Sequence, residues 1–136
     1  MPAETDDELR EILELETIAV VGCSATPGKE AHEIPKFLRD QGYQIIPVNP
    51  YAEEIFGVEP YDSLSAVEEE IDIVDVFRPS EEVAGIADEA IERDDVDVVW
   101  TQLGISDQGA GERVEAAGKQ YVEDRCLKVE YQRLMG

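Results

Sequence analysis

Thr17-Ile18-Ala19-Val20-Val21 is an unbroken apolar run rich in β-branched residues, and Gly22 ends it at once. A strand with no polar side to give to water is covered on both faces, the environment of a parallel sheet flanked by helices. Further strands are predicted at residues 43–48, 71–77, 96–101 and 119–122, with helical segments between most of them, so the pattern is a repeated βα unit. Gly42 and Gly118 can take the left-handed conformation that closes a helix, after segments 34–41 and 107–117. Ser80 and Ser106 are placed as N-caps. Thr5 and Glu8 form a capping box ahead of Leu9, Ile12, Leu13 and Leu15, whose spacing makes one apolar helical face. Segment 51–65, with Gly57 and Pro60, reads as a long connection before a short helix near 64–69.

No internal repeat, low-complexity tract or Ser/Gly linker divides the 136 residues. The expectation is an α/β fold: one doubly wound domain over 1–136, with a five-stranded, mostly parallel sheet and the helix of 1–16 packed on it.

Charge narrows the partners. Asp and Glu total 33 against 11 Lys and Arg, a net charge of −22, while apolar content is an ordinary 43%. Such a field opposes nucleic acid and anionic membranes, and no basic run counters it. It also repels itself in dilute buffer and is screened when the Debye length falls to about 3 Å at 1 M salt, so the chain is read as halophilic. Residues 1–7 lack the basic start and apolar stretch of a signal peptide, and no apolar run can span a bilayer, so a cytoplasmic location is expected. Cys23 and Cys126 are too few for a disulfide framework and lack zinc-like spacing.

The acid is unevenly spread. Segments 23–29, 49–52, 78–80 and 101–106, the expected loops at the carboxyl ends of the strands, contain no Asp or Glu, whereas Glu14, Glu16, Asp40, Glu68 to Glu70, Asp94 and Asp95 crowd the opposite edge. A rim kept free of acid suits an anionic ligand.

The loops on that rim carry the candidate chemistry. In Gly22-Cys23-Ser24-Ala25-Thr26-Pro27-Gly28-Lys29, small residues allow close backbone approach, two hydroxyls can donate, and a helix N-terminus follows, which suits phosphate. The spacing is neither GxGxxG nor GxxxxGK[ST]. Pro47-Val48-Asn49-Pro50 offers a rigid, apolar wall for a nucleotide, or simply ends a strand; a nicotinamide enzyme would place Asp or Glu at Asn49. Phe77-Arg78-Pro79 puts a guanidinium where phosphate would lie, the competing reading being a surface ion pair. Gln102 and Gly104 can meet a ligand's amides, while Trp100 is assigned to the core. Cys23 follows the first strand with no base beside it, Cys126 follows the fifth, and His32 opens a helix with no triad partner in view.

Taken in order, Val21-Gly22-Cys23-Ser24, Gly42-Tyr43, Ile46-Pro47-Val48-Asn49-Pro50, Val76-Phe77-Arg78, Trp100-Thr101-Gln102-Leu103-Gly104 and Asp124-Arg125-Cys126 resemble the stand-alone CoA-binding domain proteins related to the N-terminal domain of the succinyl-CoA synthetase alpha subunit. The resemblance spans 17–134 and implies a Rossmann-like site for coenzyme A or an acyl-CoA. Gly22, Cys23, Ser24, Ala25 and Thr26 would lie near the phosphates, with Lys29 assisting. Pro47, Val48, Asn49, Pro50, Phe77, Arg78 and Pro79 would flank the nucleotide, and Gln102 and Gly104 the pantetheine. Many relatives carry an Arg-Pro-Ser-Tyr-like stretch where this chain has Lys29-Glu30-Ala31-His32. The phosphorylated histidine of the synthetase belongs to a second domain that is missing here, so binding without catalysis or metal is expected. The alternatives are a nucleotide-dependent oxidoreductase, a thiol-dependent acyl-transfer enzyme using Cys23, and a CoA-binding subunit of a larger ligase; the sequence leaves open a homo-oligomer or a ligase-like partner chain.

Overall fold

The computed structural model describes residues 2–136. Five strands, β1 (Thr17–Val21), β2 (Gln44–Val48), β3 (Ile73–Val76), β4 (Val98–Thr101) and β5 (Gln120–Val122), form one sheet in the order β2-β1-β3-β4-β5. Every neighbouring pair is parallel. Five helices accompany them: α1 (Asp6–Leu13), α2 (Glu30–Asp40), α3 (Val83–Ile91), α4 (Gln108–Ala116) and α5 (Leu127–Leu134).

The alternation of side chains along β1 divides the core. Ile18 and Val20 enter a layer with Leu9, Ile12, Leu38, Trp100 and Leu127, beneath α1, α2 and α5. Ala19 and Val21 enter the other, with Ile86, Ala87 and Val114, beneath α3 and α4. Leu9, Leu38 and Leu127 are fully buried, each stabilising the fold by about 1.5–3 kcal/mol of apolar transfer. Pro47 sits within β2, tolerated because β2 is an edge strand.

From β2 the chain crosses over β1 to reach β3. The connections leaving β1 and β3 therefore diverge and open a crevice at their carboxyl ends, the topological switch point of a doubly wound sheet.

Several local expectations change. β1 has the expected bounds, whereas β2 to β5 are shorter at their ends than the expected segments, and α5 had no strong signal in the sequence. Ser106 does not cap α4: Asp107 does, its side chain accepting from Ala110 N at 3.0 Å. Ser80 opens a single 3-10 turn (Ser80–Glu82) instead of capping α3, and its Oγ accepts from Ser106 N at 3.1 Å, tying two rim loops together. Between β2 and β3, Tyr61 bridges Val48 in parallel, and Ile55 and Val58 close a tight turn over Phe56 (φ 54°) and Gly57 (φ 78°). Both central residues of that turn need positive φ, which suits Gly57 and strains Phe56. Phe56 is held by the His32 ring, 4.9 Å between centroids, and by Arg39 over its face at 4.6 Å. The short helix near 64–69 is one 3-10 turn, Leu64–Ala66. Arg93 anchors this connection, donating to Leu64 O at 3.1 Å and Val67 O at 2.9 Å while paired with Asp95 at 2.8 Å.

Candidate functional site

At the switch point Gly22 takes φ 89°, and a Cβ there would lie 2.8 Å from Arg78 Cδ and 3.2 Å from the Phe77 carbonyl carbon. Glycine is thus required twice over, by conformation and by the Arg78 stem passing beneath it. A cleft of about 240 Å³ opens here, lined by Gly22, Asn49, Pro50, Tyr51, Arg78 and Glu82 among others. A more open recess of about 440 Å³ lies at the other end of the sheet, around Leu13, Tyr43 and Tyr131. Ligands of open α/β sheets occupy the carboxyl ends of the strands, so the smaller cleft is the candidate.

The glycine loop satisfies most of its own amides. Ser24 N donates to Ala31 O at 2.9 Å, Thr26 N to Ser24 Oγ at 3.0 Å, and Gly28 N to Glu33 Oε2 at 3.2 Å. His32 Nδ1 lies 2.8 Å from Ser24 O, so this ring braces the loop. Ala25, Thr26 and Lys29 are exposed, and none of the three lines the cleft. Cys23 is fully buried, which pushes its thiol up to about 12, the neighbouring Asp75 carboxyl adding to the effect of burial. Such a thiol is the reverse of an activated nucleophile.

Asn49 joins two loops through one side chain. Nδ2 donates to Cys23 O at 2.9 Å, while Oδ1 accepts from Tyr51 N at 2.8 Å and Ala52 N at 3.2 Å. Aspartate could make the last two bonds but not the first, which explains the amide where a nicotinamide enzyme would carry a carboxylate. Pro47 and Val48 are buried within β2; only the buried side of Val48, with Asn49 and Pro50, faces the cleft.

Arg78 forms a bidentate pair with Glu82, Nε at 3.2 Å and Nη2 at 2.8 Å. Its guanidinium pK rises and the Glu82 carboxyl falls, each from the hydrogen bonds between them. Asp62 and Glu89 also line the cleft, Glu89 accepting from Ser65 N at 3.1 Å, and Asp124 Oδ1 takes the Gly104 amide at 2.6 Å. The rim is therefore not free of acid. The four loops singled out in the sequence contain none, but carboxylates from the turn and helix after β3, from the β2–β3 connection and from the loop after β5 fold back onto it. Glu82 stands four residues after Arg78, a signal available from spacing alone. Asp62, Ser63 and Leu64 come from the segment whose path the sequence left open.

On the far side, Phe77 is half-buried against the α2/α5 layer, and Pro79 is exposed ahead of the 3-10 turn. Gln102 is 4% exposed, its Oε1 accepting from Leu127 N at 3.2 Å; Gly104 is exposed at φ 84°. Trp100 is core, as its run implied, with Nε1 donating to Arg125 O at 2.8 Å. Asp75, fully buried in β3, has no partner for either oxygen among the described residues, and burial holds it well above the ordinary carboxylate range. Among those residues no group of His, Cys, Asp or Glu could hold a metal, and no helix is long and apolar enough to cross a membrane.

Known proteins are similar to this chain in sequence and in fold. The chain is 42% identical over 123 residues to the uncharacterized protein YneT of Bacillus subtilis, covering 90% of each. It superposes on a hypothetical protein from Pyrococcus horikoshii with a TM-score of 0.93 at 34% identity, covering 100% of this chain and 97% of that one. It is also 32% identical over 131 residues to an ADP-forming acetate–CoA ligase of Methanocaldococcus jannaschii, covering 91% of this chain but only 19% of the ligase. The sequence model of the CoA binding domain matches residues 16–132, so the chain belongs to the CoA-binding domain family.

Proposed function

We propose that the protein binds coenzyme A or an acyl-CoA at the carboxyl ends of β1, β3 and β4, without chemistry of its own. The observation that carries this reading is the cleft at the β1/β3 switch point, where Gly22, Asn49 and Arg78 meet, in a chain of this family. The phosphates lie over Gly22, Ser24, Ala25 and Thr26, with Arg78 turning from Glu82 toward them and Lys29 adding charge from the loop. Asn49 and Pro50 form the wall beside the nucleotide. The pantetheine runs past Gln102 and Gly104. An oxidoreductase is disfavoured because the Asn49 side chain is already committed to three backbone groups. Acyl transfer by Cys23 is disfavoured by its burial.

A second reading has one specific support. The chain spans about a fifth of the ligase it matches, so it can serve as the CoA-binding subunit of an assembly whose other parts are separate chains. Affinity purification of the tagged chain from its own cells in molar salt would recover such a partner.

The binding reading is tested by thermal unfolding in molar salt with CoA, 3′-dephospho-CoA, acetyl-CoA, NAD and ATP. A ligand at 100 times its Kd adds about 2.7 kcal/mol of stability. CoA and acetyl-CoA raise Tm on this account; a response to NAD with none to CoA overturns it.

A further inference from the structure

The cleft holds two side chains that the phosphate and pantetheine contacts do not use. Tyr51 lines it and is 88% exposed, the most exposed large apolar side chain among the described residues. Its backbone is nonetheless clamped: Asn49 Oδ1 accepts from Tyr51 N at 2.8 Å and from Ala52 N at 3.2 Å. An exposed ring on a fixed backbone offers a stacking face at little cost in chain entropy. The phenol is also an electrostatic neighbour of the Arg78 guanidinium, so the ring stands beside the phosphate contact.

The second side chain is Asp62. The connection after β2 turns back along that strand: Asn49 N donates to Tyr61 O at 2.8 Å and Tyr61 N to Pro47 O at 3.1 Å, which brings Asp62 alongside Asn49. Of the three carboxylates lining the cleft, Glu82 is paired with Arg78, and Glu89 accepts from Ser65 N at 3.1 Å and Ser65 Oγ at 2.9 Å. Asp62 has no partner among the described residues. It is an acceptor awaiting a donor, next to an aromatic platform.

We infer that Tyr51 and Asp62 form a base-reading clamp that selects adenine, Tyr51 by stacking on the ring and Asp62 by accepting from the exocyclic amino group. This deepens the binding reading above and rests on it, since phosphates held at Gly22 and Arg78 set the base against the end of β2. Stacking alone tolerates any base, because every base has a π-face. The discrimination therefore lies with Asp62. Adenine presents an amino donor at its 6-position, where a 6-oxo purine in the same register sets an oxygen against the carboxylate. The acid that opposes a phosphate on this rim is thereby the selective element for the base.

The test is calorimetry of the full-length chain in molar salt with CoA and with its hypoxanthine analogue, on the parent and on Tyr51→Ala, Tyr51→Phe and Asp62→Asn. Both positions are exposed, so all three variants are expected to keep the parent's Tm. The parent should bind CoA about tenfold more tightly than the analogue, the effect of one hydrogen bond to a charged acceptor. Tyr51→Ala should weaken both ligands by about tenfold and Tyr51→Phe neither, as loss of a stacking face requires. Asp62→Asn, whose amide can also donate, should remove most of the preference between them. Equal affinities of the parent for the two ligands, undiminished CoA binding by Tyr51→Ala, or an undiminished preference in Asp62→Asn overturns the inference. The parent's own CoA titration separates the two readings: CoA binding with any of those outcomes sinks only the base clamp, whereas absent CoA binding sinks the site itself.

Discussion

Asn49 shows how one side chain can settle a loop and exclude a chemistry together. Its amide donates to the Cys23 carbonyl and accepts two amides, so Asn49→Asp sets a carboxylate against a carbonyl. We expect a loss of about 1–3 kcal/mol in denaturant unfolding, the cost of an unmet partner at charge. The Arg78–Glu82 pair predicts a different outcome. Both side chains are about half-exposed, so Glu82→Gln should leave Tm nearly unchanged while freeing the guanidinium for phosphate. CoA affinity measured by calorimetry should rise severalfold in Glu82→Gln and fall in Arg78→Ala; a fall in both would make Glu82 part of the binding surface. Asp75 is the costly residue. Its proton stays on in the folded chain but leaves the unfolded chain near about pH 4, so the native state binds more protons above that pH. Its contribution to stability is therefore full below about pH 4 and is lost as pH climbs toward the raised native value. Asp75→Val should be more stable than the parent at pH 8 by about 1–3 kcal/mol and should flatten this part of the pH profile; a less stable variant would mean that the carboxyl has a partner.

Among the elements, the parallel strands were legible because strands covered on both faces are written as continuous apolar runs, and Thr17–Val21 is the plainest of them. The capping box at Thr5 and Glu8 was legible for a similar reason, both of its bonds being local. What depends on the return of distant side chains was not. Segment 51–65 is shaped by Tyr61 pairing with Val48 and by Phe56 lying on His32 and under Arg39. None of those contacts has a sequence period. The same holds within the site: Gly22, Asn49 and Arg78 could be placed from their strands, whereas Asp62 and Glu89 reach the cleft only through folding. The start of α4 is a case where two adjacent residues compete for one role. Asp107→Ala should cost about 1 kcal/mol as a lost N-cap, while Ser106→Ala should stay within about 0.5 kcal/mol, both read from urea midpoints. The reverse order would restore Ser106 as the cap.

For the molecule as a whole, a charge of −22 on 136 residues predicts a dependence of the fold on salt. Helical circular dichroism should decline on dialysis from molar salt to dilute buffer, where the Debye length lengthens to about 30 Å at 0.01 M; an unchanged spectrum would remove the halophilic reading. The same acidity surrounds the candidate cleft, whose single arginine is already paired, so recognition there rests on backbone approach at Gly22 and shape at Asn49 and Pro50 as much as on net charge. The central claim is that this cleft receives CoA, and backbone amide NMR of the labelled chain titrated with CoA in molar salt addresses it residue by residue. Shifts gathered on Gly22 to Thr26, Asn49, Tyr51, Arg78 and Gln102 to Gly104 are predicted. Shifts confined to the recess at Leu13, Tyr43 and Tyr131, or none at all, would contradict it.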